Sequence, residues 1–188
     1  MAPGIFREWR AEWRVRRGAA LYVASLFIEP AEADVAWVAT AATSGDADRA
    51  RWELRYARRA LGLLVAERDA LDDRTSSAVA RELAEAMQSD RKVAADMVRL
   101  AERQLNERLR EYREVLRARG ASESTAVRLG RALLRLTNRT AQVEDELIAR
   151  AGTILAGYVA EANETLRKSF GEAALPEDRP PSALVGGK

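Results

Sequence analysis

The sequence predicts an all-α protein, an elongated bundle of four to five helices dominated by one long antiparallel helical hairpin. Apolar residues recur at gaps of three and four through most of the chain, no stretch alternates with the period of a strand, and Ala, Arg, Leu and Glu dominate. The 188 residues suffice for one domain with a real core. We expect that single helical domain over 1–171 and a disordered, proline-containing tail over 172–188.

Three helices are predicted before the hairpin. An amphipathic helix over 3–28 opens with Pro3, which suits a first helical turn. A short helix over 31–43 should stop by Gly45. A third helix over 47–71 has a broad apolar side and a narrow arginine-rich side, so we expect it to pack along the hairpin.

The hairpin is predicted over 76–170. Its first arm runs over 76–119, with Ser89-Asp90 as the site of any kink. Its second arm, 122–170, carries so wide an apolar arc that it should touch two neighbours, and we expect the chain to be organised around it. Gly120 suits the end of the first arm, and the short turn there makes the arms antiparallel.

The composition excludes several chemistries. The chain has no cysteine and no histidine, so disulfides, thiolate nucleophiles, cysteine zinc sites and imidazole bases are excluded. Two acidic clusters remain. We interpret Asp72-Asp73 as capping residues rather than half of a magnesium motif, and Glu144-Asp145-Glu146 as a solvated face. No catalytic constellation is visible, so we expect neither an enzyme nor a bound cofactor or metal.

Two charged residues fall inside the apolar arc of the first hairpin arm, Asp90 and Arg108. A buried charge is costly unless it is paired. In the hairpin register Asp90 comes level with Arg150, so we predict a structural ion pair between them. The alternative is a kink that turns Asp90 outward as a cap. The sequence indicates no partner for Arg108.

The N-terminal helix places Ile5, Phe6, Trp9 and Trp13 among several arginines. Such a helix matches an amphipathic element that lies on an anionic membrane or on a partner. The alternative is that the same face packs on the bundle as core. Both interpretations stay open at this point.

An apolar run over 18–28 raises the question of export. It follows Arg16-Arg17 and precedes Ala31-Glu32-Ala33, in the order of a twin-arginine signal and its cleavage site. Against export, Glu8 and Glu12 precede the run and the amphipathic period continues through it. We expect a cytoplasmic protein, at the membrane surface if the N-terminal helix binds lipid, with export as the less favoured alternative.

Arginines form ridges although the net charge is only +2. Residues spaced by three and four share one side of a helix. The ridges are Arg128, Arg131, Arg135 and Arg139 on the second arm, and Arg51, Arg55 and Arg58 on the third helix. They are typical of either a solvated face or a site for an anionic partner. Among partners we favour an acidic protein surface, because the aromatic residues lie mainly on other faces and cannot stack bases, which makes nucleic acid unlikely.

The leading functional hypothesis is a non-catalytic helical scaffold or adaptor that acts through protein–protein interaction or self-association. It depends on an apolar helical surface larger than one hairpin can cover. Peripheral membrane association through the N-terminal helix is the first alternative. Binding of nucleic acid or another polyanion by the arginine ridges is the second.

Overall fold

The computed structural model describes residues 3–70, 72–118, 122–137 and 144–171, with side chains from Trp9 onward. Within these ranges the chain is all-helical and forms no strand, which confirms the predicted fold class. The described residues form seven α-helices and one 3₁₀ turn. They are α1 (Pro3–Leu26), α2 (Glu32–Ala42), α3 (Ala47–Asp69), α4 (Asp73–Gln88), the 3₁₀ turn (Ala95–Met97), α5 (Val98–Arg117), α6 (Thr125–Leu136) and α7 (Asp145–Phe170).

The central element is α3, which packs against every other α-helix. Its apolar side chains are buried on more than one side, and they include Leu54, Leu61 and Val65. The side chain of Asp46 caps its first turn by accepting a hydrogen bond from the Arg49 amide at 2.9 Å. The chain is therefore organised around α3. The prediction that it is organised around the segment 122–170, which the wide apolar arc of that segment suggested, is wrong.

The first arm of the expected hairpin is divided into α4 and α5. Asp90 turns the chain between them, because its carboxylate accepts a hydrogen bond from the Lys92 amide at 3.1 Å and another from the Arg59 side chain at 2.8 Å. A segment over 89–97, which ends in the 3₁₀ turn, then leads into α5. We call this segment the α4–α5 connector.

The second arm is divided as well, so the long hairpin is not confirmed. α6 ends at Leu136, and α7 begins at Asp145 with acidic residues in its first turn, where they complement the helix dipole. The two helices then pack with their backbones in contact at Gly130 and Gly152. A Cβ atom on Gly130 would overlap the carbonyl oxygen of Ile148, so only glycine permits this approach.

Buried apolar residues from all seven helices form one connected core. The second half of α1 belongs to it: Tyr22 is fully buried and donates a hydrogen bond to the Gly62 carbonyl at 2.7 Å. The run 18–28, considered above as an export signal, thus supplies core residues. No described helix is long and apolar enough to cross a bilayer. The predicted tail over 172–188 and the turn at Gly120 lie outside the described residues.

Candidate docking surface

The predicted ridge on α3 is paired with acids of other helices and of the α1–α2 turn. All three arginines are half-buried, and each forms an ion pair with a carboxylate. The pairs are Arg51–Glu32, Arg55–Glu29 and Arg58–Glu161, with N–O distances of 2.8, 2.7 and 2.9 Å. Arg55 also lies over Trp52, and Arg58 lies over Tyr158. These side chains connect parts of the fold, so they do not form an open ridge for an anion.

The ridge on α6 is more exposed but is also engaged. Arg131 binds Glu123 through two hydrogen bonds of 2.9 Å, and Arg135 pairs with Glu111 of α5. Arg128 donates to the Ala118 carbonyl at 3.2 Å. Arg139 lies outside the described residues. The structure therefore does not bring the described members of this ridge together as a cluster of unpaired cations.

The predicted ion pair between Asp90 and Arg150 is wrong in its partner. Asp90 binds Arg59 of α3, and the two side chains retain only 6% and 1% of their exposure. The guanidinium carbon of Arg150 instead lies 5.2 Å from the ring centre of Trp37. The hairpin register fails because the connector turns Asp90 toward α3. Burial lowers the pKa of Arg59, and its bond to Asp90 opposes that shift.

Arg108, for which the sequence indicated no partner, binds Glu53 of α3 in a buried pair. The two N–O distances are 3.1 and 2.5 Å. Burial alone would lower the pKa of Arg108, but Glu53 outweighs it and the pKa is raised. Sequence analysis did not identify Glu53 as the partner of Arg108. The available signal was the presence of this charged residue within the apolar side of α3.

Within the described part of the chain, no three acidic side chains lie close enough together to form a metal site. Asp72 caps α4 by accepting a hydrogen bond from the Thr75 amide at 2.7 Å. That backbone hydrogen bond lowers the pKa of the Asp72 carboxyl. This geometry is that of a helix cap, as the sequence predicts.

α1 has one buried side and one exposed side. The buried side packs against α4, α7 and α3. The exposed side carries Trp9, Trp13 and Leu21, which keep 64, 50 and 58% of their exposure, and Ile28, at 58%, lies just after the helix ends at Leu26. The helical period places Trp9, Trp13 and Leu21 within about a third of the helix circumference, and the exposed Ala20 and Ala24 lie on the same side. We call these six residues the α1 stripe. Its helical part, from Trp9 to Ala24, extends over about 22 Å at 1.5 Å per residue.

Arginines border the first half of the stripe. Arg17 lies over the ring of Trp13, with its guanidinium carbon 5.2 Å from the ring centre. Arg10 and Arg14 are exposed, and neither makes an ion pair within the described residues, whereas Arg16 pairs with Glu12 at 2.7 Å. The side chains of Ile5 and Phe6 lie outside the described part of α1.

Most of the apolar surface that motivated the scaffold hypothesis is used by the protein's own core. Among the described residues, the exposed large apolar side chains are the four of the α1 stripe and Met97 of the 3₁₀ turn. The stripe is therefore the candidate docking surface. No protein-family model, curated protein or solved structure matches this chain.

Proposed function

We propose that the protein is a non-catalytic helical subunit that self-associates through the α1 stripe. The observation that carries this proposal is that Trp9, Trp13 and Leu21 on one side of α1, and Ile28 just after its end, keep half or more of their full exposure. An aligned apolar patch of this kind is typical of an interaction surface rather than of a solvated helix. A second copy of the chain is the occupant that we favour.

The shape of the stripe suits an antiparallel pair of α1 helices. Its first half is bulky, whereas its second half contains the small residues Ala20 and Ala24. When Trp13 of one copy lies opposite Ala24 of the second copy, a large side chain meets a small one, and the two-fold axis of an isologous dimer repeats this contact.

Charge favours the same orientation. The exposed arginines Arg10, Arg14 and Arg17 lie in the first two thirds of α1, whereas its last turns carry no charged residue. A parallel pair would bring two basic halves together, which is repulsive at short range. An antiparallel pair separates the two basic halves.

Sedimentation velocity tests this proposal directly. The wild-type chain should show a concentration-dependent monomer–dimer equilibrium. Trp9→Ser with Trp13→Ser should weaken the dimer by about 100-fold or more, because buried tryptophans dominate interface energies. Met97→Ser is the matched control, since Met97 is exposed but lies away from α1. A monomer at all concentrations, or a dimer that the tryptophan variant leaves intact, would overturn the proposal.

Cross-linking tests the orientation, and the chain suits it because it has no native cysteine. In an antiparallel pair, Ala24→Cys should not form a disulfide with itself but should do so with Trp13→Cys of a second copy. In a parallel pair, Ala24→Cys alone should cross-link, because identical positions then meet. The two results thus distinguish the orientations within one experiment.

Peripheral membrane association is a second candidate, favoured by the exposed pair Trp9 and Trp13 beside Arg10, Arg14 and Arg17. Tryptophan at the headgroup level and arginine against anionic lipid are the two components of an interfacial helix. Flotation with phosphatidylcholine vesicles, with and without phosphatidylglycerol, tests it. Binding should require the anionic lipid and should fall in Trp9→Ser with Trp13→Ser. If the protein ignores both vesicles at low salt, this candidate fails.

A further inference from the structure

A cleft lies between α3, α5 and the α4–α5 connector, away from the residues of the α1 stripe. Its volume is about 520 Å³, within the range of about 300–1,000 Å³ of small-molecule sites. We propose that this cleft binds a small amphipathic anion, with a carboxylate head group at the rim and an apolar chain within. This ligand site is independent of the self-association proposed above.

One side of the cleft is apolar. Trp52 of α3 and Leu100 of α5 are half-buried there, and Met97 of the 3₁₀ turn keeps 46% of its exposure. Val93 and Ala94 of the connector complete this side. A flexible methionine beside an aromatic ring adapts readily to an aliphatic chain. Filling the cleft with such a chain would remove these side chains from water.

The polar side of the cleft favours a negative charge. Three basic residues and one acid line it, namely Arg49, Lys92, Arg108 and Glu53. Lys92 is paired with Glu29 and Arg108 with Glu53. The Glu53 carboxylate is already bound by Arg108, so it does not repel an incoming anion. Arg49 is exposed and makes no ion pair within the described residues. Its guanidinium is the group that we expect to bind the carboxylate.

The walls are held in place before any ligand arrives. The connector is fixed at Asp90 by Arg59, with an N–O distance of 2.8 Å, and at Lys92 by Glu29. A continuous helix over α4 and α5 would have no connector. The connector that interrupts it forms one wall of the cleft. A preformed site reduces the entropy that binding must overcome.

Titration calorimetry with octanoate tests the proposal. Octanol and octyltrimethylammonium have the same chain but carry no charge or a positive charge. Octanoate should bind at one saturable site, and the other two compounds should bind at least fivefold more weakly. The titration is done with Trp9→Ser and Trp13→Ser in the chain, so that the α1 stripe does not contribute.

Two variants locate the binding. Arg49→Gln should weaken octanoate binding about fivefold, and Ala94→Trp should weaken it about tenfold by filling the cleft. Arg103→Gln on the exposed side of α5 is the matched control and should leave the affinity unchanged. Absence of saturable binding would overturn the proposal. So would equal binding of octanol, or octanoate binding that neither cleft variant weakens.

Discussion

α1 and α3 are both rich in arginine and aromatic residues, but their arginines have different surroundings. On α3, Arg55 donates to Glu29, and Arg59 is buried against Asp90. On α1, Arg10 and Arg14 are exposed, and no acid pairs with them within the described residues. The difference lies in the neighbours that the fold supplies. Arginine on a central helix connects elements, whereas arginine on a peripheral helix remains available for a partner.

The strongest test of this contrast is the buried pair. Asp90→Ala leaves Arg59 charged and unpaired in the core, which should cost about 3–5 kcal/mol. Urea denaturation measures the loss in the free energy of unfolding. Asp96→Ala on the exposed 3₁₀ turn is the control and should change it by less than about 0.5 kcal/mol. A loss below about 1 kcal/mol for Asp90→Ala would show that the pair is not structurally important.

A half-buried pair should have a smaller effect. Arg58→Gln removes the bond to Glu161 and the contact with the Tyr158 ring, and the expected loss is about 1 kcal/mol. Arg81→Gln on the exposed side of α4 serves as the comparison, with no change expected. If Arg58→Gln leaves the midpoint of urea unfolding where it is, the ridge on α3 is not a structural connection.

Acidification should weaken the ion pairs that Glu29 makes with Arg55 of α3 and with Lys92. Burial raises the pKa of Glu29, but Lys92 and Arg55 outweigh it, so its pKa lies below the usual 4.5. Its stabilisation is therefore present above about pH 4.5 and is lost as the pH falls through the lowered pKa. Thermal unfolding from pH 7 to pH 3 should show less acid sensitivity for Glu29→Gln than for wild type. The opposite result would mean that the Glu29 pairs do not stabilise the fold.

The smallest effect on stability is expected at α1. Arg10→Gln with Arg14→Gln should change the free energy of unfolding by less than about 0.5 kcal/mol, because exposed, unpaired arginines contribute little to the fold. The same variant should reduce binding to anionic vesicles, if the membrane candidate is correct, with a strong dependence on salt. A destabilisation as large as that of Arg58→Gln would remove the contrast between the helices.

Sequence analysis predicted local features better than long-range ones. The bounds of α1, α2 and α3 lie within two residues of the predicted 3–28, 31–43 and 47–71. Caps and apolar periods determine such bounds, and both are local in sequence. The hairpin failed because each arm contains a break that its apolar period does not reveal.

The candidate site was predicted only in part. From the sequence, Trp9 and Trp13 were candidates for either an interaction face or the core, and the structure leaves them exposed. The ridge on α3 was expected to be open, but its acids lie 19 and 26 positions away for Arg51 and Arg55. Asp90 and Arg108 were recognised as buried charges, and their partners on α3 could not be named before the packing of α3 was known.

The contact between α6 and α7 has a consequence for the evolution of this chain. A Cβ atom on Gly152 would overlap the carbonyl oxygen of Ala126, and one on Gly130 would overlap Ile148. Both positions must therefore stay glycine in any descendant that keeps this crossing, although neither performs any chemistry. Two glycines 22 positions apart, inside amphipathic helices, would mark a distant relative after the surface residues had diverged beyond comparison.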